Sequence, residues 1–235
     1  MCVEVRGAVD GPGFGRPDGH AFLTARTTLG DVVGFSTTCF TPSEFPVAAL
    51  ACQAHGGNAV EIVCAESARA DVLAHACEQL RLHGLRPSLR AEDSLRGLLA
   101  LSVPVAIAAD LPVGDAPLSR LVMLRNTVDP DLVDKALETY PETSFCLDLS
   151  LAFSAGGFAQ LRSLASRWSD RLAQVTVGAV DDDPHLLDLV QTAFDAAGRA
   201  VPVIVERPSP VWSSDLSREV GTLRALSRRF LTPYR

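Results

Sequence analysis

The sequence predicts a single-domain α/β fold, a (β/α)8 barrel, and three observations carry that expectation. Short β-branched runs alternate with amphipathic stretches from residue 31 to the C-terminus. The strand-like runs number eight, the count that closes a parallel barrel. Several are apolar at nearly every position, as parallel strands covered on both faces must be.

The expected strands are Val32–Ser36, Ala59–Cys64, Pro87–Ala91, Pro104–Ala109, Arg120–Arg125, Ser144–Asp148, Ala173–Val177 and Val201–Glu206. Helical patterns lie between them at Glu44–His55, Ala68–His83, Asp93–Leu101, Asp131–Thr139, Phe158–Trp168, Pro184–Ala197 and Asp215–Phe230. The link Leu111–Ser119 is short and holds two prolines, so a turn is expected there instead of a helix. Ser43, Asp129 and Ser214 stand where N-caps are wanted, and Gly84 and Gly198 where a left-handed helix end is wanted. A doubly wound open sheet is the competing fold. It is disfavoured because no strand runs into a GxGxxG or GxxxxGK[ST] loop, and GPGFG at 11–15 matches neither.

Residues 1–30 stand outside the alternation. They are rich in Gly, carry Pro12 and Pro17, and offer only Val3–Val5 and Ala21–Leu23 as strand-like fragments. They read as an extension covering either the N-terminal mouth of the barrel or an oligomer interface. Residues 31–235 form the barrel domain, with no second domain and no linker.

Bulk properties narrow the partners. At 47% hydrophobic residues, a chain of 235 can bury a full core. A net charge of −7 offers no basic field for nucleic acid. No apolar run approaches the ~18–20 residues that span a bilayer, and the N-terminus lacks a secretory apolar stretch. The six cysteines, at 2, 39, 52, 64, 77 and 146, include no CxxC pair and fall mostly within expected strands or helices. That usage points to reduced, buried thiols and a cytoplasmic setting.

Chemistry in such barrels sits at the C-terminal ends of the strands. Taken in order, those ends supply Ser36 and Thr37, Glu61, Arg90 with Glu92, Asp110, Arg125 with Asn126, Asp148 with Ser150, Thr176, and Glu206 with Arg207. Acids and arginines thus converge on one mouth. No histidine falls at a strand end, so neither a Ser-His-Asp nor a Cys-His set can be assembled, and Cys64 reads as an inert buried thiol. His20 lies in the extension. His55, His75 and His83 lie on or beside outer helices, and Trp168 reads as a packing residue. The run DDDPH at 181–185 reads as an acidic helix start with Pro184 at its first position, not as a metal pair Asp183-x-His185.

Several segments resemble the xylose isomerase-like TIM-barrel superfamily, which includes sugar-phosphate isomerases, epimerases and endonuclease IV. They are VGFSTTCF at 33–40, GGNAVEIV at 56–63, LRNTVDP at 124–130, CLDLSLAFSAGG at 146–157, RLAQVTVGAVDDDPH at 171–185 and VPVIVERP at 201–208. The resemblance spans about residues 32–226 in the right order. It implies a divalent metal held by Glu, Asp, His and Glu from strands five to eight. Only Asp148 and Glu206 match. Arg125 replaces the first Glu, Thr176 the His, Leu151 a further motif histidine, and Arg90 falls near a strand-three histidine of some members. Two carboxylates, a threonine and an arginine make a poor site for a hard cation, so no metal or other cofactor is expected.

A guanidinium can instead supply the positive charge. Arg125 then either belongs to a structural ion-pair network or, with Arg90, grips an anionic or polyhydroxy ligand. Glu61 either meets the substrate or braces a loop. Asp148, Glu206 and Glu61 are the candidate catalytic groups; Arg125, Arg90, Asn126 and Trp212 are the candidate ligand-binding groups. The resemblance implies a divergent sugar (phosphate) isomerase or epimerase acting on a small polyhydroxy or anionic compound, with Asp148 or Glu206 as base. The alternatives are a non-catalytic binding or assembly module whose mouth is closed by ion pairs, and a metal enzyme using Glu61, Asp110 and Asp148. A homo-oligomer stays open.

Overall fold

The computed structural model describes residues 32–37, 45–64, 69–93, 95, 97–111, 118–178, 185–206 and 214–230. Eight parallel strands run β1 (Val33–Ser36), β2 (Ala59–Cys64), β3 (Arg86–Ala91), β4 (Val105–Ala108), β5 (Val122–Arg125), β6 (Ser144–Asp148), β7 (Leu172–Val177) and β8 (Val203–Val205). They pair in sequence order, and β1 returns to β8 through Val33↔Val203 and Phe35↔Val205 to close the barrel. The open-sheet alternative is excluded by that last pairing.

Alternation along each strand sorts the side chains into two sets. Phe35, Val60, Leu89, Ile107, Leu124, Phe145, Leu147 and Val175 are fully buried in the main core, together with Leu80, Leu137, Leu161 and Phe194 of the surrounding helices. Each such side chain contributes roughly 1.5–3 kcal/mol on burial. The opposite set forms two small apolar clusters, Val32 with Ala59 and Ile204, and Ala106 with Met123 and Cys146. Space is tight where β1 meets β2. A Cβ on Gly34 would lie 2.6 Å from that of Ala59, so only glycine fits there.

The helices are α1 (Phe45–Ala54), α2 (Ala70–Leu82), α3 (Pro130–Thr139), α4 (Leu149–Arg167), α5 (Leu186–Ala197) and α6 (Ser214–Arg229). Asp129 caps α3 by accepting from the Asp131 N–H at 3.0 Å, with Pro130 at the first helical position. Gly84 and Gly198 adopt φ of 73° and 68° at the ends of α2 and α5, a conformation nearly free of cost only for glycine. Ser43, and the turn expected within 112–117, lie outside the described residues.

One helix expectation is corrected and another is extended. The helix expected over Asp93–Leu101 is reduced, among the described residues, to a single 3-10 turn at Leu99–Leu101. Gly97 takes φ +79° inside that stretch and breaks the helical path. A further helical piece, not expected from the sequence, starts at Leu149 directly after β6 and meets the expected helix from Phe158 across a kink. Asp148 caps it by accepting from the Leu151 N–H at 2.9 Å. Gly156, with φ −172° and ψ 27°, and Gly157, with φ 64° and ψ −157°, are both non-helical and divide α4 into two helical pieces.

The described cysteines, Cys52, Cys64, Cys77 and Cys146, are buried and form no disulfide. No helix among the described residues is long and apolar enough to cross a membrane.

Candidate functional site at the barrel mouth

The strands and their C-terminal ends bring Glu61, Arg90, Arg125, Asp148, Gln174, Thr176 and Glu206 to the barrel interior or its rim. The deepest is Glu61 of β2, which is 1% exposed. Its Oε2 accepts from Gln174 Nε2 at 2.9 Å, across the barrel from β7. A register shift places Gln174 there: Leu172 pairs with Phe145 but Gln174 with Cys146, leaving Ala173 as an extra residue. Such a bulge turns the strand and re-aims the side chains that follow it. Gln174 also lies 3.7 Å from Cys146 Sγ, which in turn contacts Thr176 Oγ1 at 3.4 Å. Burial pushes the Cys146 thiol up to about 12 and the Cys64 thiol up to about 11, so neither is a ready thiolate.

Above this layer lies a lattice of ion pairs. Arg125, the last residue of β5, hydrogen-bonds Asp148 Oδ2 through both Nε, at 3.2 Å, and Nη2. The same Nη2 donates to Glu206 Oε2 at 3.3 Å. Arg90 of β3 reaches that oxygen from the other side, its Nη1 lying 2.5 Å away, and its Nε donates to Glu92 Oε1 at 2.9 Å. Glu206 Oε2 therefore sits between two guanidinium groups. Arg90 Nη1 is also 3.9 Å from Glu61 Oε1, too far for a hydrogen bond, and that oxygen has no donor.

The electrostatics follow from burial set against pairing. Burial works against the Arg125 charge, but Asp148 and Glu206 outweigh it and hold its pKa above the ordinary arginine value. Arg90 is likewise penalised by burial and held up by Glu206 and Glu61. Glu61 goes the other way. Its burial outweighs the opposing pull of Arg90, Gln174 and Arg125, and its carboxyl pKa is raised. The rim thus sets Arg90 and Arg125 against the carboxylates of Asp148, Glu206 and Glu92, with the buried Glu61, whose pKa is raised, beneath.

The raised Glu61 pKa has a pH consequence. Above the ordinary glutamate value near 4.5, the unfolded chain has released this proton while the folded chain still holds it. Each further pH unit then favours unfolding by up to about 1.4 kcal/mol, until the folded carboxyl ionises as well. Glu61→Gln keeps the shape and cannot ionise. Its melting temperature should match the parent's below pH 4 and exceed it by a margin that widens as pH rises from 5. Thermal melts across pH 4–8 check this; a margin that shrinks with pH contradicts the assignment.

Asn126 serves Asp148 directly. Its Oδ1 accepts from the Asp148 N–H at 2.6 Å and its Nδ2 donates to the Asp148 carbonyl at 3.1 Å, so this one side chain brackets the end of β6. At 1% exposure, the residue expected among the ligand contacts is placed as a positioning group. Thr37 Oγ1 similarly accepts from the Val63 N–H at 3.0 Å and ties β1 to β2.

The rest of the expected constellation divides plainly. The structure brings together Glu61, Arg90, Arg125, Asn126, Asp148, Thr176 and Glu206. Asp110 is exposed, and His55, His75, His83 and His185 are carried on or beside the outer helices. Trp168 packs against the core and donates from Nε1 to Asp134 Oδ1 at 2.7 Å. Trp212, Arg207 and Asp181–Asp183 lie outside the described residues. Sequence reading missed Gln174, although an amide on a strand facing Glu61 was the available signal. It also missed the pairing of Arg90 with Glu206.

The residues present do not fit a divalent metal. The ground between Asp148 and Glu206 is filled by Arg125 Nη2. Both Asp148 oxygens are engaged, Oδ1 by the Leu151 N–H and Oδ2 by the guanidinium. Among the described residues, no group of three or more His, Cys, Asp or Glu side chains is arranged to hold an ion. The trio Glu61, Asp110 and Asp148 is therefore not assembled.

No protein-family model matches the chain, and no curated protein does. Solved structures do. A D-psicose 3-epimerase determined in the presence of D-fructose superposes with a TM-score of 0.53 at 9% identity, over 85% of this chain and 96% of that one. An AP endonuclease, family 2, from Brucella melitensis superposes with a TM-score of 0.52 at 15% identity, over 79% and 95% of the two chains. At such identities the likeness is one of fold, and function must be argued from the site.

Proposed function

We propose that this chain is a divergent member of the sugar isomerase and epimerase barrels that binds, and acts on, a small polyhydroxy or anionic compound at the C-terminal mouth, with arginines where the metal would stand. The observation that carries the reading is the placement of Glu206. Its Oε2 is held between Arg90 and Arg125 while nothing among the described residues donates to its Oε1. It and Arg125 also keep solvent contact, at 23% and 18% side-chain exposure, whereas Asp148, Arg90 and Glu61 are almost wholly buried.

Moving a proton on the carbon beside a carbonyl needs a base for that proton and a cation for the enediolate oxygen. Glu206 Oε1 is the group free to take the proton. Arg125, already oriented by Asp148 and more exposed than Arg90, is the cation at the same rim that a substrate oxygen can reach. Asp148 is 4% exposed with both oxygens engaged, so its task is to orient Arg125. D-fructose and its 6-phosphate, incubated with the full chain in D2O, test this by NMR. Deuterium should enter beside the carbonyl, and Glu206→Gln should lower the rate by about a hundredfold or more. No exchange with either ketose, and no shift in melting temperature, would overturn the reading.

One observation favours a second reading. The Arg90–Glu206–Arg125–Asp148 lattice is continuous and needs no ligand to balance it, as a non-catalytic binding or assembly module would require. A ligand that raises the melting temperature without deuterium exchange supports that module.

A further inference from the structure

The opposite end of the barrel holds a cavity that the mouth chemistry does not use. It has a volume of about 330 Å³ and lies among the strand starts, with walls that include Val32, Met123 and Ile204. Ala59, Ser88 and Ala173 also line it, small residues where larger side chains usually fill the bottom layer of such a barrel. A mostly apolar hollow of this size, with a few placed polar groups, has the make-up of a small-molecule site.

The polar groups of the wall are few and point to one kind of partner. Ser88 is 7% exposed, and its hydroxyl has no hydrogen-bond partner among the described residues. A buried hydroxyl left in that state is costly, so the wall calls for a polar atom opposite it. The Gln174 amide, which also lines the cavity, already donates to Glu61 Oε2. Arg86 and Arg120 are exposed and mark the side of the cavity that opens to solvent. Among the described wall residues these two carry the charge, and none is a carboxylate.

An apolar wall disfavours a bare ion, and two arginines without an acid disfavour a cation. Arg86 and Ser88 stand two residues apart on β3, so they share one face of the strand with Cα atoms about 6.6 Å apart. A carboxylate set between them accepts from the Ser88 hydroxyl with one oxygen and from a guanidinium with the other. Such charge-assisted bonds are the strong ones. The rest of the ligand then lies against Ala59, Met123 and Ile204, where only apolar atoms are at ease.

We propose that the N-terminal end of the barrel binds an aliphatic monocarboxylate, its head held by Ser88, Arg86 and Arg120 and its tail in the cavity. At roughly 30 Å³ for each heavy atom, the share of a water molecule, the space suits a tail and head of about ten atoms, as in octanoate. The site is separate from the mouth and does not depend on the reaction proposed there.

The chain has two methionines, Met1 and Met123, so methyl labelling with carbon-13 puts one NMR reporter in the cavity wall. Octanoate titrated into the full chain should shift the Met123 methyl resonance saturably, with a Kd below about 1 mM. Octanol and octylammonium carry the same tail, and each should bind at least about tenfold more weakly. Ser88→Ala removes the hydroxyl, and Arg120→Gln removes a cation at an exposed position where folding does not depend on it. Each should weaken octanoate by at least about fivefold. A Met123 resonance unmoved at about 5 mM octanoate, several times the expected Kd, overturns the proposal. So does octanol or octylammonium binding as tightly as octanoate. So does an octanoate affinity unchanged in either variant.

Discussion

Arg125→Ala should destabilise the protein by about 3–5 kcal/mol, the largest effect expected of any single substitution at the mouth. Three oxygen contacts depend on this side chain: Asp148 Oδ2 twice, through Nε and Nη2, and Glu206 Oε2 once. Asp148 is the carboxylate that suffers, because it is almost wholly buried and has no other cation within reach among the described residues. Truncation leaves it as an uncompensated charge in a low-dielectric site, which costs more than the pair itself contributed. Glu206 suffers less, since Arg90 still holds it. Arg125→Lys should recover only part of the loss. A lysine carries the charge but not the planar fork that meets Asp148 and Glu206 together. Urea unfolding of the three proteins measures this. An alanine variant as stable as the parent would remove Arg125 from the account.

Asp148→Ala should cost about 3 kcal/mol or more, for a different sum of reasons. The carboxylate orients Arg125 through Oδ2 and caps α4 through Oδ1. Loss of the cap alone is worth about 1 kcal/mol. Loss of the charge leaves two guanidinium groups converging on a single carboxylate oxygen of Glu206. Asp148→Asn separates the two tasks, because the amide oxygen can still accept from the Leu151 N–H while the amide nitrogen faces Arg125. The asparagine variant should therefore retain the cap's share of about 1 kcal/mol and lose the rest. Equal stability of the alanine and asparagine variants would mean that the cap contributes nothing.

The parts of this molecule legible in its sequence are those set by local period and strand order. Ala59–Cys64 and Ser144–Asp148 match their expected bounds, because a buried parallel strand writes itself as a continuous apolar run. The placement of Arg125 beside Asp148 and Glu206 was legible for the same reason: each ends a strand, and strand ends of a barrel share one mouth. What was hidden depends on contacts distant in sequence or on competition between local signals. Glu61 and Gln174 are 113 residues apart, and the bulge at Ala173 that brings them together leaves no trace in the apolar pattern. The first piece of α4 was hidden because Leu149–Ala155 offers only a short helical stretch before Gly156 and Gly157 interrupt it. Gly97 did the reverse, ending a helix that the pattern over 93–101 favoured.

The central claim is that the mouth takes its positive charge from arginine and not from a metal. Protein purified without added ions, then titrated with Mn2+ and followed by electron paramagnetic resonance and thermal melting, tests it most directly. Far less than one equivalent should bind, chelator should leave the melting temperature unchanged, and Mn2+ binding should appear in Arg125→Glu, which adds a third carboxylate beside Asp148 and Glu206. One equivalent of tightly held metal in the parent, with a melting temperature that falls when a chelator removes it, would contradict the account.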